Sequence, residues 1–265
     1  MPSFFHRLRM RLIRQNRFIG YLKYAIGEIV LVVIGILLAL QINNWNKARI
    51  NNNLKQEYLL RLIDDLQEDK AILQATLNYS LTVHSHAKKA VVILEKPDQA
   101  LKDPVNSLVH LYQSSQLQTP AAVKSTYLEL ISSGQINLLK NTPLKTSLIR
   151  YYEYDWAVSN TMALLNDYRE ALRSKMADPI QDKIRKECGD KYFKIRDTYE
   201  VMLPKDCTIF LDEKAAKKAV QDITKVENLK EKLRVHISNL EAKIEFMKQV
   251  KKIQEKLIKE LEAVV

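Results

Sequence analysis

At 265 residues the chain is long enough to bury one substantial core without an external staple, and only five Gly and seven Pro punctuate it. Its richness in Leu, Lys, Glu, Ala and Gln favours helix and gives an all-β or dinucleotide-binding α/β architecture little support. The net charge of +11 does not demand nucleic acid: Arg7, Arg9, Arg11, Arg14, Arg17 and Lys23 all precede the first acidic residue, Glu28, and the remainder mixes both signs along helical sequence.

Residues 1–23 form a basic segment in which Phe4, Phe5, Leu8, Leu12 and Ile13 alternate with arginines, the composition of a short helix in a headgroup layer or of an unstructured basic tail. From Ile29 to Leu40 no side chain carries a polar atom. Widening the window to residues 24–45 gives the roughly 20 residues that about 30 Å of hydrocarbon requires, with Glu28, Gln41, Asn43 and Asn44 confined to its ends. Tyr21 and Tyr24 on one side and Trp45 on the other stand where amphipathic rings prefer the membrane interface. Glu28, near Lys23 in the first turns of the span, suits a headgroup-level anchor, with contact to a partner membrane subunit as the alternative. Gly27, Gly35 and Ala39 lie near one face, and Gly35-x-x-x-Ala39 permits close helix approach; ordinary small residues in a span account for them equally well.

A cleavable signal peptide competes with this reading, but Ala39-Leu40-Gln41-Ile42-Asn43-Asn44 lacks a small-x-small ending, so a retained signal-anchor fits better. The arginine cluster before the span, against Lys47, Arg49 and Lys55 after it, puts the N-terminus in the cytoplasm and residues 46–265 outside.

Beyond the span, Leu54, Tyr58, Leu62, Leu66, Leu73, Leu77 and Leu81 recur at helical spacing, predicting that the span continues as a helix until near Pro97. Residues 98–119, broken at Asp103-Pro104, suit a short helix between turns, and a further helix is expected from Pro120 to Gly134, with the Gly as its C-terminal cap. Thr142-Pro143 reads as a helix start, opening a long helix through Tyr152, Trp156, Leu164, Tyr168 and Leu172, as far as Glu187. Cys188 and Cys207 bracket the one stretch with turn chemistry and β-type residues, predicting a hairpin or Ω-loop. From Asp212 the sequence is helical again, and Val226, Leu229, Leu233, Ile237, Leu240, Ile244, Met247 and Val250 form a stripe that wants partner helices. The expected architecture is all-α: one transmembrane helix continuing into an antiparallel helical bundle with a small Cys-bracketed loop.

The run YAIGEIVLVVIGILLALQINNWN at residues 24–46 closely resembles the opening signature of an uncharacterised family of single-pass membrane proteins of Gram-negative bacteria. TYLELISSGQINLLKNTPLKTSLIRYYE at residues 126–153 resembles a recurrent segment of the same family. Together these cover about a fifth of the chain. The resemblance implies an inner-membrane anchor and a periplasmic helical region, and it supplies no catalytic residues.

Few constellations carry chemistry. Cys188 and Cys207, in a chain read as exported to an oxidising space, are a candidate disulfide closing a compact loop. His84 and His86, two apart, fall on different sides of a helix and read as surface or edge residues. Tyr151, Tyr152, Tyr154 and Trp156 read as core packing, with the lining of a pocket between helices as the alternative. No nucleotide-binding Gly loop, nucleophile elbow or zinc motif appears, so no catalytic, cofactor or metal residue is assigned and an enzyme is disfavoured. The expectation is a binding, scaffold or assembly module meeting lipid through its span and a protein partner or a second copy through helical faces, without nucleic acid. The alternative is a sensor bundle signalling through a separate partner.

Overall fold

The structure, a computed structural model, describes residues 18–140, 142–196 and 198–265, without the side chains of Phe18, Tyr21, Thr142 and Thr198. Residues 1–17 of the basic segment lie outside the described residues. The chain divides into two units, Met1–Glu57 and Tyr58–Val265.

Helix α1, Phe18–Glu95, runs through both. In the first unit it is the one described element, and its apolar residues have no cover: Leu31 is 73% exposed and Val33 46%. Among the described residues this is the one helix long and apolar enough to cross a membrane. In the second unit the same helix buries Tyr58, Leu59, Leu62, Leu66, Leu73 and Leu77, each worth roughly 1.5–3 kcal/mol of transfer free energy when fully covered. Leu81, which the spacing placed on this face, is instead 44% exposed. Pro97 ends α1 and opens the single turn α2, Pro97–Ala100.

Helix α3, Pro104–Gln113, begins with Pro104, and Asn106 N donates to Asp103 Oδ1 at 3.2 Å. Helix α4 covers Ser125–Ser132 and does not reach back to Pro120. Its N-terminus is capped from a distance: Thr126 N and Ser125 Oγ donate to Asp65 Oδ2 of α1 at 2.9 and 3.0 Å, a partner the local sequence does not announce. Gly134, at φ 71°, turns the chain out of this helix into a 3₁₀ turn at Gln135–Leu138.

The long helix expected through residues 142–187 is three helices: α5, Thr142–Tyr154; α6, Asp167–Arg173; and α7, Asp178–Cys188. Asp155 breaks it first, at φ 38°, and its carboxylate accepts from Lys124 Nζ at 2.6 Å. A 3₁₀ turn, Trp156–Val158, follows and buries Trp156. Asn166 caps α6 by accepting from Arg169 N at 3.1 Å, and Pro179 sits in the first turn of α7. Strands β1, Lys191–Ile195, and β2, Thr198–Met202, pair antiparallel from Lys191↔Met202 to Ile195↔Thr198. Gly189 leads into them, where a Cβ would stand 2.2 Å from the Arg185 carbonyl oxygen, so only glycine passes.

Helix α8, Glu213–Thr224, is capped by Asp212, which accepts from Ala215 N at 2.7 Å. A break centred on Asn228, at φ 57°, separates it from α9, Leu229–Glu262. Lys70 with Glu255 at 3.0 Å, Lys88 with Glu241 at 3.1 Å and Arg234 with Glu95 at 2.8 Å show that α9 runs antiparallel to the second half of α1. These solvent-exposed pairs report register and add little stability. Helices α5 and α6 pack on α9, while α3 packs on α6, α7 and α8. The result is an antiparallel bundle with one hairpin.

Candidate functional site

Cys188 and Cys207 are joined, Cα to Cα 5.5 Å, closing a ring that contains the hairpin. Hydrogen bonds fix that ring to the bundle. The Gln113 side-chain amide of α3 donates to the Cys188 carbonyl, and Tyr79 of α1 donates to Asp190 Oδ1 at 2.8 Å. Buried Glu200 on β2 accepts from Gln118 Nε2 at 2.6 Å, and burial holds its carboxyl above the usual range.

Between this hairpin and α1 lies a cleft of about 830 Å³, walled by Leu81, Phe193, Val201, Met202 and Leu203. Leu81 owes its exposure to this position, and Met202 opposite is 52% exposed. Lys89, Lys205 and Asp206 stand where the cleft adjoins a second cavity of about 470 Å³. His86 lines both cavities and His110 the second.

His86 is not a surface residue. It is 5% exposed, and its Nδ1 lies 2.8 Å from His110 Nδ1, with the rings tilted 53°. Burial, the neighbouring His110 and Lys89 push His86 down to about 4, against the pull of Asp206. Burial and Lys89 push His110 down to about 4 as well. At neutral pH both rings are therefore uncharged and share one N–H, one Nδ1 donating and the other accepting. The donating ring keeps a bare Nε2, and the accepting ring carries Nε2–H. His86 thus stands where the two cavities adjoin, with His110 beside it in the second, the combination of concavity and perturbed titratable groups expected of a binding site. His84, by contrast, meets Glu241 at 3.0 Å on the surface.

A second centre is Asp69 of α1, fully buried. Its Oδ2 accepts from Tyr151 OH, from Trp156 Nε1 at 3.0 Å and from Gln254 Nε2 at 3.1 Å, and its Oδ1 accepts from Val123 N at 3.1 Å. Burial raises its pKa, opposed by these four donors. One carboxylate thereby ties α1 to α5, to the 3₁₀ turn at Trp156, to α9 and to the segment before α4. Tyr151, Tyr152 and Trp156 are core residues, with Tyr152 stacked on Tyr127 at 4.6 Å, while Tyr154 is 60% exposed. Tyr151, Tyr154 and Trp156 also line an open cleft of about 480 Å³ between α5 and α9, so the aromatic cluster is both core and cleft wall.

The residues expected in the span all lie on α1. Glu28 and Trp45 are exposed and Tyr24 is half-buried. The Tyr21 side chain lies outside the described residues. Around Gly27 and Gly35 there is open space, and Ala39 is exposed. Among the described residues no trio of His, Cys, Asp or Glu is placed to hold a metal ion.

The sequence overlooked His110 and Asp69. Nothing local marks His110, 24 residues from its partner and on another helix. Asp69 was readable, because it occupies a slot of the apolar stripe Leu62, Leu66, Leu73, where an acid must find donors.

These observations define a helical protein with one candidate membrane-anchoring helix and an antiparallel helical body carrying a disulfide-closed hairpin. The chain belongs to DUF6090, a family of unknown function, whose pattern matches residues 28–172. The match runs from Glu28 in α1 to Leu172 in α6 and takes in Asp69, His86, His110 and the Tyr151–Trp156 cluster; the hairpin and α9 lie beyond it. No curated protein and no solved structure matches the chain.

Proposed function

We propose that this protein is a single-pass inner-membrane protein of the Gram-negative type its anchor sequence resembles. Residues 1–23 are cytoplasmic, 24–45 cross the bilayer and 46–265 form a periplasmic binding or scaffold module. The observation that carries the reading is the uncovered apolar stretch of α1, residues 29–40, in the same helix that continues into the core of the body. Leaving such a surface in water is costly, and lipid is the solvent that removes the cost. Tyr21, Tyr24, Glu28 and Trp45 serve as interface residues, and Gly27, Gly35 and Ala39 are positioned for contact with a partner membrane helix. The arginine-rich start supports a cytoplasmic N-terminus, and the Cys188–Cys207 pairing suits an oxidising compartment.

The surface that meets the partner is the hairpin cleft of about 830 Å³, with His86 of the histidine pair in its wall. A sensor role, passing a signal through the span to a cytoplasmic protein, is the second reading, favoured by the continuity of α1. Two measurements test the proposal. Alkaline phosphatase fused after Val265 is active in cells if the body is exported; an inactive fusion, or full-length protein free in the cytosol, overturns the topology. A photo-crosslinking residue at Met202 captures a defined envelope protein that the same residue at Val235 does not. Equal capture at both positions removes the cleft from the interface, and capture of a signalling kinase decides for the sensor.

A further inference from the structure

The cleft between α5 and α9 is apolar because of where its floor residues have placed their polar atoms. Tyr151 and Trp156 both donate to Asp69, which is not part of the cleft wall, and so present only ring carbon to the opening. Val250 and Leu257 complete the floor. Ile253, 53% exposed, and the rings of Tyr154 and Phe246, with centroids 6.1 Å apart, stand at the edges.

Three charged side chains line it: Arg150, Lys256 and Glu260. Glu260 is engaged by Lys256 at 3.7 Å, and Arg150 makes no ion pair among the described residues. One cation is therefore uncompensated at the rim of an apolar floor. The volume of about 480 Å³ falls within the roughly 300–1,000 Å³ typical of small-molecule sites. A protein partner asks for more: each side of a standard interface contributes about 800 Å², which so short a strip of exposed apolar side chains does not supply.

We infer that this cleft binds a single-chain amphiphile with an anionic head, its alkyl tail against Trp156, Val250 and Leu257 and its head beside Arg150 and Lys256. The aromatic walls offer contact area without side chains that must be newly ordered, and the guanidinium of Arg150 is suited to a carboxylate or phosphate. The inference does not depend on the side of the membrane the body occupies or on the hairpin cleft, so its failure and theirs are separable.

The two tryptophans of the chain, Trp45 and Trp156, provide the test. Full-length Trp45→Phe protein in phosphatidylcholine nanodiscs built with a tryptophan-free belt, whose emission comes from Trp156 alone, is titrated with 12-bromododecanoate at alkaline pH. The expected result is saturable quenching. In Arg150→Glu/Lys256→Glu protein the midpoint rises about tenfold, roughly 1.4 kcal/mol of affinity. Ile253→Glu raises it at least as far, and Val235→Glu, on an exposed position outside the cleft, leaves it unchanged. Quenching that grows without saturating, an equal midpoint for 12-bromododecanol, or a midpoint indifferent to the charge reversals overturns the inference. Circular dichroism of each variant establishes that the fold is intact.

Discussion

Replacing Asp69 by alanine removes the acceptor of four donors at once, three of them buried and the last partly so: Tyr151 OH, Trp156 Nε1, Gln254 Nε2 and Val123 N. A buried donor left without a partner costs about 1–3 kcal/mol. Gln254 Nε2 also donates to Tyr151 OH at 2.8 Å, so part of the network can close on itself. Removing a charge whose burial is unfavourable returns some of the cost. Taking about 1 kcal/mol per donor gives a loss of roughly 4 kcal/mol, which for a body of this size lowers Tm by about 8–16 °C. Thermal melts of the full-length protein in detergent micelles, followed by far-UV circular dichroism, measure it. Asp69→Asn should cost less, about 1–3 kcal/mol, because it keeps the shape and fails chiefly at Val123 N. The pH dependence has a definite sign. A folded-state pKa above the unfolded value means the folded protein binds more protons between the two, so the Asp69 contribution weakens as pH rises through that window. Wild type should accordingly gain on Asp69→Asn as pH falls from neutral. An Asp69→Ala protein melting within about 2 °C of wild type, less than 1 kcal/mol on this scale, would refute the claim that this carboxylate organises the core.

The Cys188→Ala/Cys207→Ala protein should lose about 3 kcal/mol, the chain-entropy value for a loop of this length, read as a lower Tm than the non-reduced wild type. His86, His110 and His236 are all pushed down to about 4, chiefly by burial, so the unfolded chain binds more protons below the ordinary pKa of 6.5. Stability should therefore fall as pH drops from 7 to 5, and His86→Leu/His110→Leu should flatten that slope in melts across the range, leaving the part due to His236. Gly134→Ala should cost about 1 kcal/mol by conformation alone, since a Cβ there meets nothing within 4 Å but φ is 71°. Gly189→Ala should cost more in the same melts, because the added carbon meets backbone.

How legible these features were depends on how far apart their causes lie in the chain. The candidate anchoring helix, the helical class and the Cys-bracketed hairpin each follow from contiguous residues: an apolar run, a sustained period, two cysteines around turn-forming sequence. The end of α1 at Pro97 is equally local. The segment from 142 to 187 misled because its apolar spacing persists through two interruptions. Asn166 and Asp178-Pro179 carried visible start signals, whereas Asp155, at φ 38°, finds its ion-pair partner in Lys124, 31 residues away in the chain. Pro120 suggested a helix start, yet the real one lies at Ser125 because Asp65 supplies its cap. Both candidate sites are of this long-range kind. His86 finds its partner on α3, and Tyr151 and Trp156 turn their polar atoms inward only because Asp69 lies beneath them.

The Cys188–Cys207 link turns residues 189–206 into a covalently closed ring whose outermost parts, including Tyr192 and Tyr199, are open to solvent. Scission of the backbone there leaves no fragment free to diffuse: both pieces migrate together until a reductant separates them. A protein clipped in this exposed ring would thus look whole on a non-reducing gel, with α8 and α9 still tethered to the helices that precede them.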